Sequence, residues 1–336
     1  RQRQMCIRDS SYPGENAVSA KVCVFNDPQL ASYNFGEQHP FGPARFGAFN
    51  DAFLAQGMDQ QVITCEAVTA TTEQLESFHQ HADVEGVKLS SLAGLGYLDQ
   101  GDTPVVPGIY EAAALVAGTT LQAIRKIMQG ECRRAFNPIG GLHHARRDRA
   151  AGFCVFNDCG IAIEALRREY GVQRIAYVDI DAHHGDGVFY SYETDPNICI
   201  ADLHEDGHFL YPGTGAVTET GQQEAAGTKL NVPMPMGAND AAFNKVWDSV
   251  ISFVAKTEPE FILLQCGADS IEGDPITHMA YSPPVHARAT TDLCKLADEH
   301  CQGRLLAMGG GGYNLQNIAA AWCAVVQAMI DNTTDS

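Results

Sequence analysis

Short apolar runs that end abruptly in glycine, aspartate or histidine recur through the chain, separated by longer amphipathic stretches. Runs of this kind, bounded by polar turns, predict buried strands. They lie at 134–137, 174–179, 198–203, 261–266 and 304–308, with two earlier ones at 21–25 and 61–65. Apolar positions recur at helical spacing over 45–55, 72–86, 110–129, 158–170, 241–256, 285–300 and 319–330. The 110–129 segment is small or aliphatic along one side, which suits burial against a sheet. Strand alternating with helix predicts an α/β fold with a mainly parallel sheet and helices on both faces. Repeats, low-complexity tracts and linker-like breaks are all missing, so one catalytic domain over 11–336 is expected.

Composition narrows the class. Of 336 residues, 45% are hydrophobic, enough for a sizeable core. A formal charge of −19 disfavours nucleic acid as a direct partner and favours cationic ones, or simply keeps the chain soluble. Eleven cysteines without CxxC spacing imply reduced thiols and a cytoplasmic setting. The longest apolar stretches fall short of the ~20 residues that span a bilayer, so no membrane association is expected. Residues 1–10 crowd Arg1, Arg3 and Arg8 into an acidic chain without periodicity, and read as a non-native remnant.

The strand ends hold the chemistry. The densest is Asp179-Ile180-Asp181-Ala182-His183-His184-Gly185-Asp186-Gly187, after the 174–178 run. If the chain stays extended there, Asp179, Asp181 and His183 share one side. Other strand ends carry Gly140-Gly141-Leu142-His143-His144, Gly267-Ala268-Asp269 and Gly309-Gly310-Gly311-Gly312-Tyr313. Singly, each reads as readily as a surface loop, a helix cap or a flexible turn. Four of them at the carboxyl ends of one sheet, where such folds bind ligands, make a shared site the better reading. Asp181, His183 and Asp269 give three metal ligands and leave a position open. His143 and His144 can work as base and acid. Asp179 and Asp186 can orient those imidazoles, and the Tyr313 hydroxyl can meet an oxyanion. The sum is amide hydrolysis. His79 and His81, on a helix away from any strand end, are set aside as packing or surface residues.

These motifs, with Gly152-Phe153-Cys154-Val155-Phe156-Asn157-Asp158 and Tyr211-Pro212-Gly213-Thr214-Gly215, resemble the zinc-dependent histone deacetylase superfamily. The likeness is to its bacterial branch, with acetoin-utilisation proteins and acetylpolyamine amidohydrolases. The resemblance implies the arginase/deacetylase-like fold, with Asp181, His183 and Asp269 on Zn²⁺, or on Fe²⁺, which a mixed O/N set also accepts. It implies His143 paired with Asp179, His144 with Asp186, and Tyr313 as the carbonyl-polarising hydroxyl. Gly152, Phe153, Tyr211, Ile276 and Gly311 would contact substrate, Asp102 would hold its backbone at the rim, and Arg45 would line a product channel. A monovalent cation such as K⁺ would sit on backbone carbonyls of Asp179, Asp181, His183, Asp202 and Leu203. The implied substrate is an acylated lysine in a peptide or protein, or an acylated polyamine.

Departures from the family pattern are informative. Asp202 stands where a serine is usual, Tyr211 where many members have phenylalanine, and Asp99 competes with Asp102 for the rim position. A two-metal ureohydrolase would need an aspartate four residues after Asp181, where Gly185 stands. An inactive acyl-lysine-binding scaffold would have lost a ligand or the tyrosine, and neither is missing. Ile276 at the rim favours acyl-lysine over a free polyamine, while Glu272 and the net charge pull the other way.

Overall fold

Eight parallel strands form the sheet that sets the site. A computed structural model describes residues 22–333; the expectation for residues 1–10 lies outside the described residues. The strands are β1 (Val22–Val24), β2 (Ile63–Thr64), β3 (Arg134–Asn137), β4 (Ile175–Asp179), β5 (Ile198–Glu205), β6 (Lys229–Met234), β7 (Phe261–Gln265) and β8 (Leu305–Met308), in the order β2-β1-β3-β8-β7-β4-β5-β6. All neighbours pair in parallel. The strands β3, β4, β5, β7 and β8 are buried at every position, as parallel strands covered on both faces must be. The edge strand β6 alternates instead, and for that reason shows no continuous apolar run in the sequence.

The helices are α1 (Ala44–Ala55), α2 (Thr72–Leu75), α3 (His81–Ala93), α4 (Ile109–Met128), α5 (Asp158–Tyr170), α6 (Asp186–Tyr192), α7 (Asp240–Ala255), α8 (Pro283–His300) and α9 (Leu315–Asp331). One group, α1, α7, α8 and α9, packs side by side on one face of the sheet, and α3, α4, α5 and α6 cover the other. The long helix expected over 72–86 is two. Thr71 closes a capping box on α2, and the chain then dips inward at Phe78 and His79 before α3 begins. His79 is buried, where its Nε2 accepts the Asn157 N–H, and His81 is exposed. The short α6 begins inside the Asp179-to-Gly187 motif, too polar there to read as a helix. Among the described residues no helix is long and apolar enough to cross a membrane.

This order places β3, β8, β7 and β4 side by side, so the loops leaving their carboxyl ends meet. One contiguous core holds them in place. At its centre Trp322 of α9 packs edge-on against Phe49 and Phe136, and its indole N–H donates to the Gly309 carbonyl at 3.1 Å. Trp322→Ala opens a large cavity and should cost about 3–5 kcal/mol in urea unfolding, and a loss below ~1 kcal/mol would show that α9 does not anchor the glycine loop.

Candidate metal centre and active site

Strand β4 ends at Asp179, and the chain leaves the sheet at once. The Asp179 carboxylate accepts the Asp181 N–H at 3.0 Å, curling the segment so that strand alternation no longer governs it. Asp179, Asp181 and His183 therefore do not share one side of an extended strand: Asp179 turns toward His143, while Asp181 and His183 turn toward Asp269. Asp269 sits on the short turn after β7 and accepts the Ala182 N–H at 2.9 Å.

Asp181, His183 and Asp269 are buried, and one donor atom from each lies within 4.8 Å of the others. His183 Nδ1 is 3.0 Å from Asp181 Oδ1 and 3.2 Å from Asp269 Oδ2. The other Asp181 oxygen accepts N–H groups from Gln265 at 2.8 Å and Gly311 at 2.9 Å. A Cβ on Gly311 would lie 2.0 Å from Asp269 Oδ2, so only glycine lets the β8 loop close over both carboxylates. Burial, and then the charge of Asp181, push Asp269 up to about 7. Burial acts the same way on Asp181, but cationic His143 and His183 outweigh it and hold it well below the usual range. Two buried carboxylates facing one imidazole suit a divalent cation in charge and donor type, so the residues fit Zn²⁺ or Fe²⁺.

Beside this group stand two imidazoles, their ring centres 4.1 Å apart and their planes tilted by 58°. His143 Nδ1 donates to Asp179 at 2.8 Å, and His144 Nδ1 donates to Asp186 at 2.8 Å. Their Nε2 atoms are 3.1 Å apart, which calls for a single proton between them. Burial lowers both rings, but Asp179 and Asp181 outweigh it at His143 and hold it up at about 9. At His144 burial and the charge of His143 prevail over Asp186, and the ring falls to about 4. One ring is cationic and the other neutral at pH 7. Tyr177 and Arg146, neither evident as a site residue from sequence, brace the pairs by donating to Asp179 at 2.6 Å and to Asp186 at 2.8 Å.

Aromatic rings frame the approach. Tyr211 stands 5.1 Å from the His144 ring, and Phe153 meets Tyr313 edge-on at 5.8 Å. Gly152 lies between His144 and Tyr211, where a Cβ would come within 2.7 Å of the imidazole and 2.9 Å of the phenol ring. Phe153 has φ +66°, a costly conformation for an aromatic residue. It is retained because the Tyr33 hydroxyl donates to its carbonyl at 2.7 Å. At the rim Asp99 is used up: its carboxylate accepts N–H groups from Gly101, Asp102 and Thr103 and the Thr103 hydroxyl. Asp102 is exposed, and its side chain is free of such bonds among the described residues.

A model of the histone deacetylase domain matches residues 39–329. The chain belongs to the histone deacetylase family. Acetoin utilization protein AcuC of Bacillus subtilis (strain 168) is 35% identical over 312 residues, covering 89% of this chain and 79% of that protein. Histone deacetylase RPD3 of Saccharomyces cerevisiae is 29% identical over 312 residues, covering 90% and 70%. The crystal structure of the HDA15 HD domain gives a TM-score of 0.85 at 28% identity over 95% of this chain and 90% of that one. The doubly covered parallel sheet is thus the deacetylase fold.

Other expected positions fall around this centre. Arg45 is buried, donating to the Gly312 carbonyl at 2.8 Å and the Gly310 carbonyl at 2.6 Å, with its guanidinium over Phe41. Both backbone groups of Gly311 are engaged, its N–H by Asp181 and its carbonyl by the Ala268 N–H. Asp202 pairs in register with Asp179; its carboxylate accepts the Gly185 N–H and bonds His204, while Leu203 is fully buried. Three residues that sequence reasoning passed over hold the loops. Asp158, read simply as part of a helix, accepts the Gly141 and Leu142 N–H groups, while Asn157 caps that helix. Asp274 accepts N–H groups from both Ile276 and Tyr313. His39 bonds the Asp102 carbonyl at 3.3 Å and meets Phe153 edge-on. A polar Gln265 closing an otherwise apolar strand was the one overlooked signal; the rest depend on contacts distant in sequence.

In the metal-free protein, histidine NMR should find His143 protonated up to about pH 9 and His144 neutral above about pH 4. Asp186→Asn removes a carboxylate that raises His144, so that titration should move lower still. An upward movement would contradict the charge assignment.

Proposed function

We propose that this protein hydrolyses the side-chain amide of acylated lysine in peptides or proteins. The observation that carries the reading is the pair of adjacent imidazoles, each bonded to its own carboxylate, beside a three-ligand group and a tyrosine. Asp181, His183 and Asp269 would hold the ion, which supplies Lewis acidity toward a carbonyl and lowers the pKa of water. His144 takes the proton of the attacking water on its Nε2 as the C–O bond forms, the His143 N–H releasing that lone pair to the water. The Nε2–H of His143 and the Tyr313 hydroxyl, which burial keeps protonated, stabilise the developing oxyanion. His144 then gives its proton to the amine nitrogen as the C–N bond breaks, releasing carboxylate and free lysine.

Substrate choice is read from the rim. The family resemblance puts the apolar side chain of half-buried Ile276 there, and exposed Asp102 would offer its carboxylate to the N–H groups of a peptide backbone. Both features favour acyl-lysine within a chain over a free acylpolyamine. The name of one relative, histone deacetylase RPD3, supports the same reaction type. A K⁺ ion on the carbonyls of Asp179, Asp181, His183, Asp202 and Leu203 would complete the centre. The ten described cysteines are all free thiols, in keeping with a cytoplasmic enzyme.

Tyr313→Phe should cut turnover by roughly 10²-fold or more while metal content stays at one divalent ion per chain. His183→Ala should lose metal and activity together. Elemental analysis finding two tightly bound ions per chain would instead indicate a binuclear hydrolase. Kinetics on an acetyl-lysine peptide against acetylputrescine test the substrate: kcat/KM should favour the peptide, and a large preference for the polyamine would overturn the rim argument.

A further inference from the structure

The carboxyl ends of β5 and β6 carry a hollow of about 260 Å³, at the same end of the sheet as Asp181, His183 and the imidazole pair. After Glu205 the chain makes three turns in succession. They are closed by the Phe209 N–H on the Asp206 carbonyl at 2.9 Å, the Gly213 N–H on the Leu210 carbonyl at 3.1 Å and the Glu219 N–H on the Ala216 carbonyl at 2.8 Å. Gly207, Gly213 and Gly215 line the hollow and have no side chains to fill it. A Cβ on Gly207 would come within 2.8 Å of the Thr214 carbonyl, so the first turn closes directly on the segment after Tyr211. Pro233 of β6, in register with His204, lines it from the edge strand.

The polar side chains of the lining are engaged within the protein. Glu219 accepts the Tyr190 hydroxyl at 2.6 Å and the Gly215 and Ala216 N–H groups at 3.0 and 2.8 Å. Thr214 Oγ1 lies 2.8 Å from His184 Nδ1, and Asp206 bonds His208. The rest of the lining is glycine, Ala216, Val217 and Pro233, with Val217 65% exposed. In the same loop Phe209 and Tyr211 are exposed as well. Apolar groups gathered on a surface in this way mark a binding site.

Position and size say what binds. Pro212 alone separates Gly213 from Tyr211, whose ring stands 5.1 Å from that of His144. An extended peptide spans ~3.3 Å per residue, so positions one to three away from a lysine held at Tyr211 lie within ~10 Å of it. Pockets that enclose a small-molecule ligand offer roughly 300–1,000 Å³. This one is smaller, and suits a single large side chain.

We infer that the hollow is a specificity subsite for one large apolar side chain, of leucine, methionine or phenylalanine kind, one to three residues from the acyl-lysine of a substrate peptide. The inference rests on the acyl-lysine reading above and adds to it the residue that accompanies the lysine.

The test is a set of acetyl-lysine peptides with alanine flanks, in which leucine is moved through the three positions on either side. Turnover is measured on the metal-loaded parent, and binding by fluorescence anisotropy on the Tyr313→Phe chain. At one position leucine should raise kcat/KM and tighten binding roughly tenfold over alanine. Ala216→Trp, at an exposed position, fills the hollow and should bring that ratio to within about twofold of one, as should Val217→Asp, which places a charge on its wall. No leucine preference at any position, or one that survives both substitutions, overturns the subsite. A parent that sediments as a dimer and an Ala216→Trp variant that sediments as a monomer would assign the hollow to a second copy of the chain, and overturn it too. Should no peptide be turned over, the deacylase reading fails, and the anisotropy ratios still decide the hollow by the same outcomes.

Discussion

Asp181 and Asp269 are two carboxylates with no access to water, a few ångströms apart, and the surroundings are arranged to tolerate them. Alone, such a pair would take up a proton or force the loops apart. Here the Gln265, Gly311 and Ala182 N–H groups point at their oxygens, and His143 and His183 supply positive charge. That arrangement requires the ends of β4, β7 and β8 to lie side by side and the β8 loop to be glycine at the contact. Strand order and loop composition both serve this one constraint.

The same electrostatics divide the two histidines. They are adjacent in sequence, equally buried and each hydrogen-bonded to a carboxylate. What separates them is the extra negative charge of Asp181 on the His143 side and the positive charge of His143 itself on the His144 side. Two chemically identical groups acquire different charge states in the metal-free protein. The orienting residues belong to elements that also build the core, so disturbing packing and disturbing the site are not separable here.

Much of this was legible beforehand because buried parallel strands are written as continuous apolar runs. The five runs from 134 onward appear as strands, with ends moved by at most two residues. The misses have definite causes. Strand β6 alternates because it is an edge, α6 begins among polar site residues, and the 72–86 helix breaks where Phe78 and His79 are drawn into the core. Between Asp99 and Asp102 sequence had no means to choose, since both are acidic, exposed-looking and three apart. Four hydrogen bonds close Asp99 into its own loop and leave Asp102 outside.

Residue types and their order along the chain determined the fold class, the strand ends where chemistry gathers, and the set Asp181, His183, Asp269, His143, His144 and Tyr313. These are local properties, written in runs and motifs. The tertiary structure alone decided which carboxylate faces which imidazole, that His143 is charged and His144 neutral, and that Gln265, Asp274, Asp158 and Tyr177 hold the site together. It also decided that the loop holding Gly207, Gly213 and Gly215 folds round a hollow beside Tyr211. Charge state and burial depend on what the fold brings near from distant parts of the chain, and no local pattern encodes that.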